Sequence, residues 1–383
     1  MEKLKNIQAL RAIAALLVLG AHIKFPIRAT RWNLPEQTLP TWSQDMTGGI
    51  GVDIFFVISG YVICLTAASR GQDAWHFLRN RFARIAPLHY FLTLVILARL
   101  WWRPQAVDAT PGFHSLWNSF FFLPVFDMDR LTLPVNFFAW SLCFEMWFYL
   151  LFALLLLAVP PRKAALGLPM VLLPGVLLSV FYSGAWYLPR FLFDPMALEF
   201  AIGCLLFAGQ RFLNVPVSWL CVSGALLLFF LVVPRHEALG WYPPRGETAW
   251  DVPAGGRDYY AFQRLLIFGI PAGLLVTGLV GLEKHAAFVL PWPLIALGDV
   301  SYSLYLLQPI TIWLAHGFAL IVRTTDPVAP ALAYIVFTIG GAFLSWHFIE
   351  KPLTHLARRW LGIKPRESLA GETTLAPKRG SGK

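Results

Sequence analysis

The sequence predicts an all-α polytopic membrane protein of about ten transmembrane helices, with both termini in the cytoplasm. Three observations carry this. The 383 residues are 57% hydrophobic and only 14% charged, with a mean hydropathy of +0.60, a composition that a water-soluble domain does not need. Apolar runs long enough to cross a bilayer recur along the chain. Sixteen Trp and thirty-one Phe fit interfacial belts and a lipid-facing surface. The net charge is +10, but the basic residues fall largely in short gaps between apolar runs and in the tail. Orientation signals belong there, so nucleic acid is rejected as a partner.

The expected spans lie near 7–25, 50–68, 86–102, 137–159, 165–182, 193–208, 215–233, 265–282, 298–321 and 329–349. Lys3 and Lys5 precede the first run, and no small-residue cleavage site follows it. That span is therefore expected to be retained, starting inside. The run 115–126 is too short to cross and reads as re-entrant or interfacial. The inner gaps then hold Arg70, Arg79, Arg81 and Arg84, followed by Arg162, Lys163, Arg211 and Lys284. The outer gaps carry Arg103, Arg130, Arg235, Arg245 and Arg257, so the positive-inside bias is real but incomplete. An outer loop from about 234 to 264 interleaves Trp241, Tyr242, Trp250, Tyr259 and Tyr260 with Glu237, Glu247, Asp251 and Asp258. That pattern suits a sugar-stacking surface or an interfacial aromatic cap. Residues 1–352 read as one transmembrane domain and 353–383 as a basic, disordered cytoplasmic tail. Cys64, Cys143, Cys204 and Cys221 sit in or beside apolar runs without metal or disulfide spacing and read as buried thiols.

Ionisable residues inside spans are costly, and each is a functional candidate. Arg11 and His22 are eleven positions apart, close to three helical turns, so a helix presents both on one face about 16 Å apart along its axis. Both also fit snorkelling to the two interfaces. Asp53, in the first turn of the second span, reaches the depth of His22 if the two helices are antiparallel neighbours. A carboxylate there holds an imidazole in one tautomer, or simply caps its own helix. Arg81 and Arg84 share a helix face and form either a phosphate clamp or an orientation signal. Glu145 lies deep in an apolar run with Ser141 one turn before it. It is either the partner of an arginine or an acid–base group. Ser301, Tyr302, Tyr305 and Gln308 bring hydroxyl and amide groups into the ninth span. The last span ends at Glu350, Lys351 and Pro352. Nucleotide-binding, hydrolase-elbow and metal-ligand motifs are absent from the sequence, so no metal and no resident cofactor are expected.

Five ordered pieces carry a resemblance: the Arg11/His22 pair, GVDIFFVISGY, RNRFARIAP, WSLCFEMWFYL and GDVSYSLYLLQP. Together, over Ile7 to Pro352, they resemble the integral-membrane acyltransferase-3 family of O-antigen, exopolysaccharide and Nod-factor acyltransferases. The resemblance implies transfer of an acyl group, usually acetyl, from cytoplasmic acyl-CoA to a hydroxyl of a carbohydrate or glycolipid acceptor. It implies a setting in the bacterial cytoplasmic (inner) membrane, an essential Arg11 and His22, and an RxxR donor motif at Arg81 and Arg84. The chain departs from the family at Gln308, near which many members carry histidine, and in lacking the extracytoplasmic domain that some members append.

The roles expected on this basis are His22 as general base, Asp53 as its orienter and Glu145 as a further catalytic group. Arg11, Arg81 and Arg84 would hold the donor, and Ser141, Tyr302 and Tyr305 the substrate. Acyl-CoA, a carbohydrate-type acceptor and membrane lipid are the expected partners. The rival class is a secondary transporter or flippase for a lipid-linked sugar or polar solute, since intramembrane Arg, His and Glu also mark transport paths.

Overall fold

Apolar runs in this chain must satisfy their backbone internally, and in lipid that means helix. The computed structural model describes residues 4–30, 46–71, 73–102, 111–123, 133–181, 187–232, 262–323, 326 and 328–363, and among these every regular element is helical. Eight helices have the length and composition to cross a membrane: Lys5–Ile27, Ile50–Ser69, Ala74–Trp102, Phe137–Ala158, Pro161–Ser179, Leu188–Phe212, Phe262–Lys284 and Val328–Trp360. Two shorter apolar helices, Val215–Leu231 and Gln308–Val322, occupy the seventh and ninth expected spans.

The chain begins with α1 (Lys5–His22), continued by α2 (Lys24–Thr30). α3 (Ile50–Arg70) follows, then α4 (Ala74–Trp102), which carries Pro87 inside it. Asp73 starts α4 by accepting the His76 backbone N–H and the His76 Nδ1–H, both at 2.8 Å. Those bonds, the backbone one first, hold the Asp73 carboxyl below its ordinary range. α5 (Phe113–Phe121) is nine residues long and ends at Phe122 with φ 58°, which stops it well short of a span. α6 (Trp140–Ala158) is entered through a 3₁₀ turn, Phe137–Ala139. α7 (Pro161–Val180), α8 (Tyr187–Leu192), α9 (Ala197–Gly209) and α10 (Val215–Leu231) come next. Asn214 caps α10 by accepting the Val217 N–H at 2.9 Å. α11 (Ile270–Lys284) is preceded by a π-helical stretch, Leu265–Gly269.

The ninth span is not one helix but three: α12 (Trp292–Asp299), α13 (Ser301–Leu306) and α14 (Gln308–Val322). Pro309, which lacks a backbone donor, sits in the first turn after the second break. α15 (Val328–Ser345) runs through a second π-helical stretch, Trp346–Glu350, into α16 (Lys351–Trp360). The tail expected to be disordered from 353 is therefore helical to Trp360. α16 is amphipathic, and α4 packs against it. Residues 364–383 and the aromatic and acidic positions between 237 and 260 lie outside the described residues.

α3 and α9 cross in close contact. A Cβ on Gly60 would stand 2.1 Å from the Phe200 carbonyl oxygen, and one on Gly203 2.1 Å from that of Val57. Each helix thus needs a hydrogen where the other's backbone passes. Around that crossing, Phe200 stacks between Phe56 and Phe148, with ring centroids 4.4 and 4.1 Å away. Apolar side chains such as Leu157, Leu178, Phe230 and Ile321 are exposed on the outside, where lipid takes the place of water. Cys64, Cys143 and Cys204 are buried and Cys221 partly so, and all four are free thiols.

Candidate active site

α1, α3, α4, α6 and α13 converge on one cavity. Seven of the nine residues expected at the site line it: Arg11, Arg81, Arg84, Ser141, Glu145, Tyr302 and Tyr305. They come from four different helices, so the fold rather than local spacing assembles them. Arg11 donates from Nη1 to Gln8 Oε1 at 3.3 Å, one turn earlier. Arg81 donates to Thr66 Oγ1 and lies over the rings of Phe77 and Tyr149 at 5.4 and 5.5 Å. Arg11 stands within electrostatic range of Arg84, Glu350 and Glu145. Arg79 is on another face of α4, over Trp75 at 5.7 Å. The α1 and α4 walls of the cavity therefore carry a cluster of fixed positive charge.

The α6 and α13 walls are rich in oxygen. Glu145 accepts hydrogen bonds from Ser59 Oγ and Tyr149 OH. Tyr305 OH donates to the Phe138 carbonyl at 2.7 Å, so the 2.9 Å contact between Ser141 and Tyr305 uses the serine proton. Tyr302 OH donates to the Ile85 carbonyl at 2.7 Å. With their protons committed, Ser141, Tyr302 and Tyr305 present lone pairs and accept further hydrogen bonds.

His22 is not a lining residue of this cavity. It ends α1, and its Nδ1 lies 2.6 Å from the Val18 carbonyl oxygen. A carbonyl only accepts, so Nδ1 carries the proton and, in the neutral ring, Nε2 keeps its lone pair. The ring meets Phe138 edge-on at 4.4 Å and stacks on Phe25 at 5.6 Å. Phe138 in turn stands perpendicular to Tyr305 at 5.9 Å.

Asp53 is not brought to His22 either. It pairs with Arg264 through Nε at 3.1 Å and Nη2 at 2.8 Å, and Arg264 Nη2 also reaches the Gly49 carbonyl at 3.2 Å. A wholly buried carboxylate needs a full countercharge with matched geometry, which a forked guanidinium supplies and a neutral imidazole does not. Glu199, also wholly buried, adjoins that pair.

Sequence reasoning missed Ser59, Tyr149, Arg264 and Glu350 as partners. Tyr149 had a signal, since it follows Glu145 by four positions on one helix face. Arg264 had one too: an arginine opening an apolar span implies an acid nearby. Glu350 accepts from Ser303 Oγ at 2.6 Å and is within electrostatic range of Arg84 and Arg11. Gln308 faces away from the cavity and accepts the Tyr334 hydroxyl at 3.0 Å between α14 and α15.

Known proteins resemble this chain along most of its length. The exopolysaccharide production protein ExoZ of Rhizobium meliloti is 30% identical over 328 residues, covering 81% of this chain and 91% of its own. The O-acetyltransferase OatA of Staphylococcus aureus is 28% identical over 362 residues, and this match spans 85% of the chain but only 56% of that relative. The acyltransferase MdmB of Streptomyces mycarofaciens is 26% identical over 397 residues, 93% of each chain. No solved structure gives a match. The family model described as an acyltransferase domain, of the acyltransferase-3 type, matches residues 4–347, and this multi-pass membrane protein belongs to that family.

Proposed function

We propose that the chain is an acyl-CoA-dependent O-acyltransferase of the bacterial cytoplasmic (inner) membrane. It moves an acyl group, acetyl in the simplest case, from cytoplasmic acyl-CoA to a hydroxyl of a cell-surface or exported carbohydrate-type acceptor. One observation carries this reading: a single cavity joins Arg11, Arg81 and Arg84 to the oxygen-rich wall of Ser141, Glu145, Tyr302 and Tyr305. The names of two relatives, an exopolysaccharide production protein and an O-acetyltransferase, support the carbohydrate acceptor and the acetyl group.

The arginines suit the phosphates of the donor, since guanidinium and phosphate pair through forked charge-assisted hydrogen bonds. The lone pairs of Ser141, Tyr302 and Tyr305 suit amide N–H groups of the pantetheine arm. Its length is comparable to the roughly 16 Å rise from Arg11 to His22 along α1, so the thioester travels toward His22 while the nucleotide stays inside. The acceptor oxygen then forms a bond to the acyl carbon and the carbon–sulfur bond breaks. His22 Nε2 takes the hydroxyl proton and returns it to the leaving thiolate. The Val18 carbonyl fills the orienting role that a carboxylate plays in other histidine bases, by holding Nδ1–H. Glu145, hydrogen-bonded by Ser59 and Tyr149, offsets the positive wall and orders it.

The test is transfer of labelled acetyl from acetyl-CoA to cell-surface carbohydrate in membranes containing the wild type or His22→Ala. The expected result is loss of transfer in His22→Ala with acetyl-CoA binding retained. Near-normal transfer by that variant overturns the base.

A further inference from the structure

A general base works within about 2.6–3.2 Å of the proton it removes. His22 meets no such requirement with respect to the cavity, because one side chain stands between them. The Phe138 ring has the His22 imidazole 4.4 Å away and Tyr305, a lining residue, 5.9 Å away. Phe55, also in the lining, adds its edge to Tyr305 at 6.0 Å, which closes this end of the cavity with aromatic rings. Phe138 is only 2% exposed. Its backbone is pinned on both sides of the ring: the Phe138 carbonyl accepts the Tyr305 hydroxyl, and Asn136 Nδ2 donates to the Leu306 carbonyl at 3.1 Å. The ring itself is packed between His22, Phe137 and Tyr305. On its outer side Phe137 packs against it at 4.4 Å, and Phe25 and Phe137 are each 36% exposed.

We propose that Phe138 is a positioning residue of the transfer step: its ring partitions the donor cavity from His22 and keeps outer water off the thioester. The proposal rests on the donor reading above. Without an acceptor, water is the competing nucleophile. Its oxygen bonds to the acyl carbon, the carbon–sulfur bond breaks, and the water proton passes through His22 to the thiolate, giving a carboxylic acid and free CoA. The closed ring suppresses that loss.

The experiment uses the full-length protein in detergent with acetyl-CoA alone, measuring both its Kd and the rate of free CoA release. Phe138→Ala is expected to release CoA at least fivefold faster than wild type with Kd unchanged, and Phe138→Trp no faster than wild type. Adding His22→Ala to Phe138→Ala is expected to return the rate to the wild-type level, which a merely loosened fold would not do. Phe138→Leu, which keeps apolar bulk but loses the flat ring, reads the same rate if Phe138→Ala does not purify as a folded protein. An unchanged or lower rate in a folded variant that binds acetyl-CoA normally overturns the partition and leaves the donor reading intact. A gain that survives loss of His22 also overturns it. A wild type that binds no acetyl-CoA overturns the donor reading and the partition with it.

Discussion

Glu145 illustrates what one residue in an apolar helix does to its surroundings. Its carboxylate accepts hydrogen bonds from the Ser59 and Tyr149 hydroxyls. Glu145→Ala leaves two hydroxyls without that acceptor, at about 1–3 kcal/mol for the buried Tyr149 hydroxyl and less for the partly buried Ser59. A clear fall in the melting temperature of the purified protein is expected, with Glu145→Gln falling less because it keeps an acceptor oxygen. Equal melting temperatures for the wild type and Glu145→Ala would remove Glu145 from the cavity's hydrogen-bond order. The residue itself was legible in the sequence, because a carboxylate in an apolar run demands an explanation. Its partner Ser59 is 86 positions away, and the Asp53 partner Arg264 is 211 away. Distances of that kind are set by how helices dock, which hydropathy does not encode. For the same reason Asp53 matched the depth of His22 on paper and paired elsewhere.

At the scale of elements, the spans were legible because membrane helices write themselves as long apolar runs. How they cross was less so. Gly60 and Gly203 sit where two backbones nearly touch, with no room for a methyl group on either. Gly60→Ala or Gly203→Ala is expected to force α3 and α9 apart, at a cost of about 1–3 kcal/mol or more from overpacking. A reduced yield of monodisperse protein would register it, and normal yield and melting would contradict it. The breaks that divide the ninth span into α12, α13 and α14 had a partial signal in Pro309. The helix α16 was hidden because half of its residues are polar or basic, close to the composition of a tail, although it is amphipathic. The start of α4 responds to pH. The Asp73 carboxyl is held low by His76, so its cap is fully present above the ordinary carboxylate range and is lost as pH falls through that lowered value. Lower amide protection, taken relative to the intrinsic exchange rate at each pH, is expected in the first turn of α4 on acidification, and Asp73→Ala should show that low protection at every pH.

At the scale of the molecule, the chain is a bundle with a charge gradient built into one cavity. Arg81 and Arg84 enter from the first turns of α4 and Arg11 from the middle of α1, while His22 closes the far end of α1. A donor that is anionic at one end and reactive at the other matches such a gradient. If the positive-inside bias sets the orientation as proposed, the arginine end faces the cytoplasm, and reporter domains fused to either terminus are expected to be active only on the cytoplasmic side. The family and the helical architecture were both legible, the first from five short motifs in order and the second from composition. The separation of His22 from the arginine cavity was not, because it depends on how Phe138 and Tyr305 pack beside the end of α1. The most direct measurement is acetyl-CoA binding to the purified protein, for the wild type and for Arg84→Ala. Loss of one charge-assisted phosphate contact should weaken binding about 10- to 100-fold while the melting temperature stays near that of the wild type. Equal affinity in the two proteins, or no binding by a folded wild type, would contradict the arginine cavity as the donor site.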